Sequence, residues 1–141
     1  MDKDATDGSV VEVTLKSRPE YLSRVRRIAA CLADSAEMDG RESEEAALAL
    51  TEACANAIRH GSPRGEGDLV SITLSASRRS LVAEITDSGS YPESGMDEAG
   101  MGVRLMRSLA DDVRFVRRES GMTVRITKRA RRRRVRVRLT E

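Results

Sequence analysis

Aromatic side chains are nearly missing from this chain of 141 residues. It has no tryptophan, and its only rings besides the single histidine are Tyr21, Tyr91 and Phe115. A core must therefore be built from Ala, Val, Leu, Ile and Met, and few rings remain for stacking on bases. Long apolar runs are missing as well. No stretch reaches the roughly 18 apolar residues of a membrane-spanning helix, so none is expected. The first residues, MDKDATDGS, are acidic and polar. A secretory leader needs a basic start and an apolar centre, so the expected location is the cytoplasm. Histidine occurs once and cysteine twice, with no Cys-x-x-Cys pair, which gives little support to a bound metal. Cys31 and Cys54 fall on the apolar faces of two predicted helices and read as small buried hydrophobes with free thiols. The length suits one core rather than two.

Charge is plentiful but unevenly placed. The chain carries 25 basic and 23 acidic residues, a net of +2. Residues 128–141, KRARRRRVRVRLTE, hold eight basic residues and one acidic, a net of +7. The preceding 127 residues then carry −5. A block of like charge reads first as a solvated tail. Its second reading is contact with nucleic acid or an acidic protein surface. No ring interleaves with the arginines, so base stacking by the tail is not expected. Val135, Val137 and Leu139 alternate with arginine, a period of two that would also suit an added strand at a sheet edge. The expected organisation is a polar N-terminal tail over 1–9, one folded domain over 10–128 and a basic tail over 129–141.

Hydrophobic periodicity places the elements. VVEVTLK at 10–16 alternates and predicts a strand. Leu22, Val25, Ile28, Ala29 and Leu32 share one helical stripe, predicting a helix over 19–36 with Pro19 in its first turn and Ser17 as a cap. Gly40 reads as its break. A second helix is predicted from Ser43 to His60, closed by Gly61. SPRGEGD at 62–68 is turn-forming. Strands follow at 69–76 and 81–87, joined by SRRS. Segment 89–100, with three glycines and one proline, predicts no regular element. A third helix over 101–110 and strands at 112–118 and 122–128 complete the domain. The expected fold class is α/β (α+β): a two-layer sandwich with helices on one face of a mixed, largely antiparallel sheet.

Three short motifs carry the chemistry. In the second helix, Glu52 and Asn56 are four residues apart and share a face among Ala, Cys, Leu and Ile. Two polar groups there need partners, since unpaired burial costs roughly 1–3 kcal/mol each. A ligand can supply them: a carboxylate takes a proton, and a carboxamide oxygen coordinates a hard cation such as Mg²⁺. The plainer reading is an exposed Glu and an Asn at a local bend. Next, VAEITDSG at 82–89 reads as a strand ending in Asp87-x-Gly89. Its carboxylate suits an amino group such as that of adenine, although most such sequences are turns. Last, Gly100-Met101-Gly102 opens a helix whose free N–H groups favour phosphate.

The ordered set resembles the N, G1 and G2 boxes of the GHKL (Bergerat-fold) ATPases, and is most similar to the RsbW-like anti-sigma-factor serine/threonine kinases. The matching segments are TEACANAIRHG at 51–61, ITDSG at 85–89, GMGVRLMRSLADDV at 100–113 and GMTVRITK at 121–128. The resemblance implies ATP and Mg²⁺ as ligands and a lid over the nucleotide at 89–100. It implies Glu52 as general base, Asn56 as magnesium ligand and Asp87 as the reader of adenine. Gly89 would give the base room, and Gly100 and Gly102 would face the phosphates. It places Thr123 beside the nucleotide, with Met122 where a second threonine is common. Arg104 would reach a phosphate or a partner, and His60 reads as a helix-end residue. The implied partners are a sigma factor and a STAS-type anti-anti-sigma protein, with the chain itself a homodimer. The implied activity is transfer of phosphate to the anti-anti-sigma partner, which leaves the kinase free to sequester sigma. The alternative is an ATP-binding adaptor without turnover. A histidine-kinase catalytic domain is less expected, because no dimerisation helix with a phosphorylatable histidine precedes the motifs.

Overall fold

The computed structural model describes residues 8–89, 100–131 and 136–141. Its elements run β1 (Ser9–Lys16), a short 3-10 turn (Pro19–Tyr21), α1 (Leu22–Ser35), α2 (Gly40–His60), β2 (Leu69–Ser77), β3 (Ser80–Asp87), α3 (Met101–Leu109), β4 (Asp112–Arg118) and β5 (Gly121–Arg129). The five strands form one sheet in the order β1-β2-β3-β5-β4. All four pairings are antiparallel. The sheet expected to be mixed therefore has no parallel pair among the described residues.

Side chains alternate across each strand, so register decides which residues meet the helices. One row reads Val13, Ile72, Ile85, Val124 and Phe115. The next reads Val11, Leu74, Ala83, Ile126 and Val113. These rows lie in or against the buried core with Val25, Ala29 and Leu32 of α1, Leu50 and Cys54 of α2, and Met106 of α3. Full burial of a side chain such as Leu50 contributes roughly 1.5–3 kcal/mol. Five alanines of α2, at 46, 47, 49, 53 and 57, are buried. Their small size lets α2 run centrally between α1, α3 and the sheet.

The start of α2 corrects the sequence reading. Gly40 is the first residue of the helix, not its break, and Asp39 rather than Ser43 is the cap. Asp39 Oδ1 accepts from the Glu42 N–H at 2.8 Å, and Glu42 Oε1 accepts from the Asp39 N–H at 3.0 Å. This reciprocal box satisfies two backbone donors at once. The break between helices falls at Ala36–Met38, where Glu37 takes a positive φ of 59°. Ser17 does not cap the first helical segment; its hydroxyl pairs with that of Ser62 instead. Cys31 is exposed rather than buried. It sits two residues beyond Ala29, about 200° round the helix from the core stripe. Cys54 is buried, and loss of hydration pushes its thiol up to about 12, so it stays protonated and unreactive.

The basic run does not begin as a tail. Lys128 is only 8% exposed. Its Nζ donates to Glu45 Oε2 and to the Leu109 carbonyl, both at 2.6 Å. Hydrogen bonding from Lys128 holds the Glu45 carboxyl below its ordinary range. Beyond β5, the Ala130 N–H donates to the Arg79 carbonyl at 2.8 Å and the Arg131 N–H to Glu42 Oε2 at 2.6 Å. Residues 136–141 form no strand and are exposed, with Val137 at 72% and Leu139 at 92%. The alternation of valine and arginine therefore does not mark a strand there; Val135 lies outside the described residues. A chain ending at Arg131 is expected to melt like the full protein. One ending at Arg129 should lose about 1–2 kcal/mol, since two backbone hydrogen bonds go with it. Thermal denaturation of the two truncations checks this. Equal losses would place the stabilising contacts beyond Arg131.

Candidate functional site

The three motifs meet at one end of the sheet. Glu52 and Asn56 lie one turn apart on α2, and both are half-buried. Neither has a hydrogen-bond partner among the described residues. The N-terminal turn of α3 lies against them. A Cβ built on Gly102 would stand 3.2 Å from Glu52 Oε2 and 3.4 Å from Asn56 Nδ2. Gly100 is the N-cap of α3 and supplies no side-chain cap. Its carbonyl accepts the first helical bond, from the Arg104 N–H at 3.1 Å. The N–H groups of Met101, Gly102 and Val103 thus precede the first helical bond, at the positive end of the helix dipole.

Asp87 ends β3 and is only 4% exposed. Its Oδ1 accepts from the Gly89 N–H at 2.9 Å, which shapes the turn out of the strand. Glycines wall this carboxylate. A Cβ on Gly61 would lie 2.2 Å from the Asp87 Cγ, and one on Gly89 would lie 2.5 Å from the Gly61 Cα. The end of α2 therefore packs directly on the end of β3. That contact fixes the spacing between Asp87 and the Glu52–Asn56 pair, because all are tied to one rigid helix. Gly61, read from the sequence only as a helix stop, belongs to the site. Its signal was its place five residues after Asn56, at the end of the same helix. A cavity of about 240 Å³ opens beside Gly89, lined by Ser88, Arg117, Arg118, Glu119, Ser120 and Gly121.

Thr123 is not part of this gathering. It pairs with Thr86 across the sheet, on the face opposite the helices. Its Oγ1 lies 2.9 Å from Thr86 Oγ1 and accepts from Arg118 Nε at 2.7 Å. Met122 takes the place beside Asp87 on the helix-facing side and is 3% exposed. One residue along a strand reverses the face. The signal was present in the alternation of Met122, Val124 and Ile126, which are the buried apolar set. Arg104 and His60 are exposed. Arg104 lies two residues past Gly102, about 200° round α3 from the face that meets Glu52. The segment expected as a lid, residues 90–99, lies outside the described residues.

An antiparallel sheet under three helices, with a buried carboxylate at one strand end and a Glu–Asn pair against a glycine-opened helix, defines an ATPase-type α/β sandwich of the Bergerat fold. Residues 15–128 match the family described as histidine kinase-like ATPase domain, and the chain belongs to that family. Curated relatives carry the name serine-protein kinase RsbW. The Bacillus subtilis (strain 168) protein is 28% identical, with 86% of each chain covered. The Bacillus licheniformis protein is 29% identical, with 84% of each covered. Among solved structures, the RsbU and RsbW domains of a Mycobacterium tuberculosis protein superpose with a TM-score of 0.65 at 18% identity. That match covers 86% of this chain and 32% of the other, which holds two domains. The histidine kinase domain of a blue-light activated kinase from Erythrobacter litoralis gives a TM-score of 0.56 at 19% identity, covering 81% and 61%. At these identities the structural matches establish the fold.

Proposed function

We propose that this chain binds ATP with Mg²⁺ and phosphorylates a serine or threonine of a STAS-type anti-anti-sigma protein, and that it sequesters a sigma factor when that partner is phosphorylated. The observation that carries the reading is the contact of Gly102 with Glu52 and Asn56. It sets a phosphate-attracting helix start, an oxygen donor and a carboxylate within one another's reach. The relatives named serine-protein kinase support the reaction class. No helix of the described residues is long and apolar enough to cross a membrane, and a cytoplasmic site of action agrees with such partners.

The residues fit the ligands. The Asn56 carboxamide oxygen, which has no protein partner among the described residues, suits a hard cation, and nucleotide-borne magnesium needs only one or two protein oxygens beside the phosphates. No cluster of three or more His, Cys, Asp or Glu residues able to hold a metal by itself exists among the described residues, in keeping with an ion that enters with its nucleotide. Bound Mg²⁺ would neutralise charge on the phosphates. Asp87 accepts from the amino group of adenine, and Gly61 and Gly89 let the end of α2 and the turn after β3 pack directly on that carboxylate and hold it in place. The first-turn N–H groups of α3 orient the phosphates. Glu52 takes the proton of the attacking hydroxyl as its oxygen bonds to the terminal phosphorus and ADP departs. Phosphoryl transfer depends on such positioning more than on covalent chemistry by the protein.

Calorimetry with ATP and MgCl₂ tests the reading. Saturating nucleotide should raise the melting temperature, by about 2.7 kcal/mol of added stability at a hundredfold excess over Kd. Asn56→Ala should lose the magnesium-dependent part of binding and keep the part due to adenine. No heat and no shift at millimolar ATP would overturn the proposal.

A further inference from the structure

Thr123, and the face of the sheet on which it stands, are used by none of the roles above. One row across that face reads Thr86, Thr123 and Val116, and the next reads Glu84, Arg125 and Arg114. β4 is the last strand of the sheet, so this corner of the open face is accessible from its side as well. Thr123 is only 4% exposed. Its hydroxyl, backed by that of Thr86, accepts from Arg118 Nε and so fixes the direction of the guanidinium. Arg118 is exposed, and its two Nη groups have no partner among the described residues. The cavity of about 240 Å³ beside Gly89 is lined by Arg118 with Arg117 and by the hydroxyl-bearing Ser88 and Ser120. Glu119 adds one carboxylate to the lining. Two guanidinium groups and two serines there suit an anionic side chain.

The charges beside it point in the same direction. Arg114 and Arg125 stand directly opposite each other across β4 and β5, a relation in which like charges destabilise a sheet. Each is offset by one acid. Arg125 Nη1 lies 3.3 Å from Glu84 Oε1, and Arg114 Nε lies 2.8 Å from Asp112 Oδ2. These pairs use one N–H of each guanidinium and leave the rest of its donors for a ligand. Arg118 follows Arg114 by four residues on the same face, about 13 Å along the strand. Cations thus stand at two levels, the spacing of side chains i and i+4 in an extended segment. Nucleic acid fits less well. No ring of the described strands faces this side, since Phe115 lies in a row that packs on the core. Residues 1–127 also carry a net −5, which opposes a long polyanion more than a short acidic segment. We propose that the open face of the β4–β5 hairpin docks an extended acidic segment of a partner protein. One carboxylate sits at Arg118, and a second, four residues away, at Arg114 and Arg125. This surface stands apart from the nucleotide reading.

The test is an NMR titration of the full chain with a synthetic peptide of alternating valine and threonine, in which glutamate replaces two threonines four residues apart. Amide shifts should concentrate at Ser88 and along β4 and β5, and binding should weaken as salt rises. Arg118→Gln should weaken it about tenfold, the lower end for hydrogen bonds to a charged group. Arg125→Gln, at a more open and already paired position, should cost about two- to fivefold. Both variants should melt like the wild type, since both positions are exposed and glutamine can still donate to Thr123. A peptide with glutamines in place of the glutamates, and one with the glutamates three apart on opposite faces, should bind at least several-fold more weakly. No binding of the first peptide overturns the proposal, as does equal binding of the three peptides or equal binding by Arg118→Gln. A duplex oligonucleotide that moves the same resonances at lower concentration overturns it in favour of nucleic acid. The same shifts produced by raising protein concentration alone overturn it in favour of a second copy of this chain.

Discussion

Glu52→Gln is expected to slow phosphate transfer to a partner serine or threonine about 10²–10⁴-fold, the usual worth of a general base. Nucleotide affinity should hardly change. The two side chains are almost equal in size, and Gly102 packs against this position closely enough that shape matters. A carboxamide keeps that packing but has almost no affinity for a proton. The loss should therefore fall on the rate of transfer and leave binding intact, the pattern of an interaction made only in the transition state. The measurement is transfer of labelled phosphate from ATP to the proposed anti-anti-sigma partner, beside calorimetric ATP affinity for both forms. Equal rates would remove Glu52 from the chemistry. No transfer by the wild type, with ATP still bound, would favour an adaptor that binds without turnover.

Much of this site was legible in the sequence because helical and strand periods are short-range. Glu52 and Asn56 share a face by spacing alone, and the structure adds only what they face. Asp87 could be placed at a strand end because Val82, Ala83, Glu84 and Ile85 lead to a turn-forming Ser-Gly. What failed needed information from outside the local segment. Thr123 was placed beside the nucleotide by the family resemblance alone, whereas the face of a strand is settled by pairing, here with Thr86 rather than Asp87. The true start of α2 was hidden because Gly40 looked like punctuation. The Asp39–Glu42 box that overrides it was visible as Asp-x-x-Glu. Lys128 was counted with the arginines that follow because composition cannot see Glu45, which is distant in sequence and 2.6 Å away in space. The packing of Gly61 on Asp87 was likewise out of reach, since it joins two elements whose approach depends on the whole core.

Gly121→Ala is expected to cause the largest loss of stability of any single methyl added to this domain's described glycines. Gly121 has a φ of +114°, which side chains other than hydrogen rarely adopt. A Cβ there would stand 1.8 Å from the Asp87 carbonyl oxygen, 2.8 Å from its carbon and 3.1 Å from the Ser88 Cα. All three are backbone atoms and cannot swing aside as a side-chain end could. Backbone strain of about 1–3 kcal/mol and overpacking of similar size combine to about 3–5 kcal/mol. For a domain this small that should lower the melting temperature by about 10 °C or more. The damage has a direction. Relief comes most easily by prising β3 from β5 where Asp87 meets Met122, so the carboxylate should leave the site before the core melts. ATP affinity should accordingly fall at temperatures where the variant is still folded. Gly67→Ala is the matched control. A Cβ there meets nothing within 4 Å, so the change should be neutral or slightly stabilising by reducing the freedom of the unfolded chain. Thermal melts and ATP titrations of the two variants separate a clash at Asp87 from a general cost of losing glycine. Near wild-type melting for Gly121→Ala would show that the β3–β5 contact can give way, and that Asp87 is not held as rigidly as its burial implies.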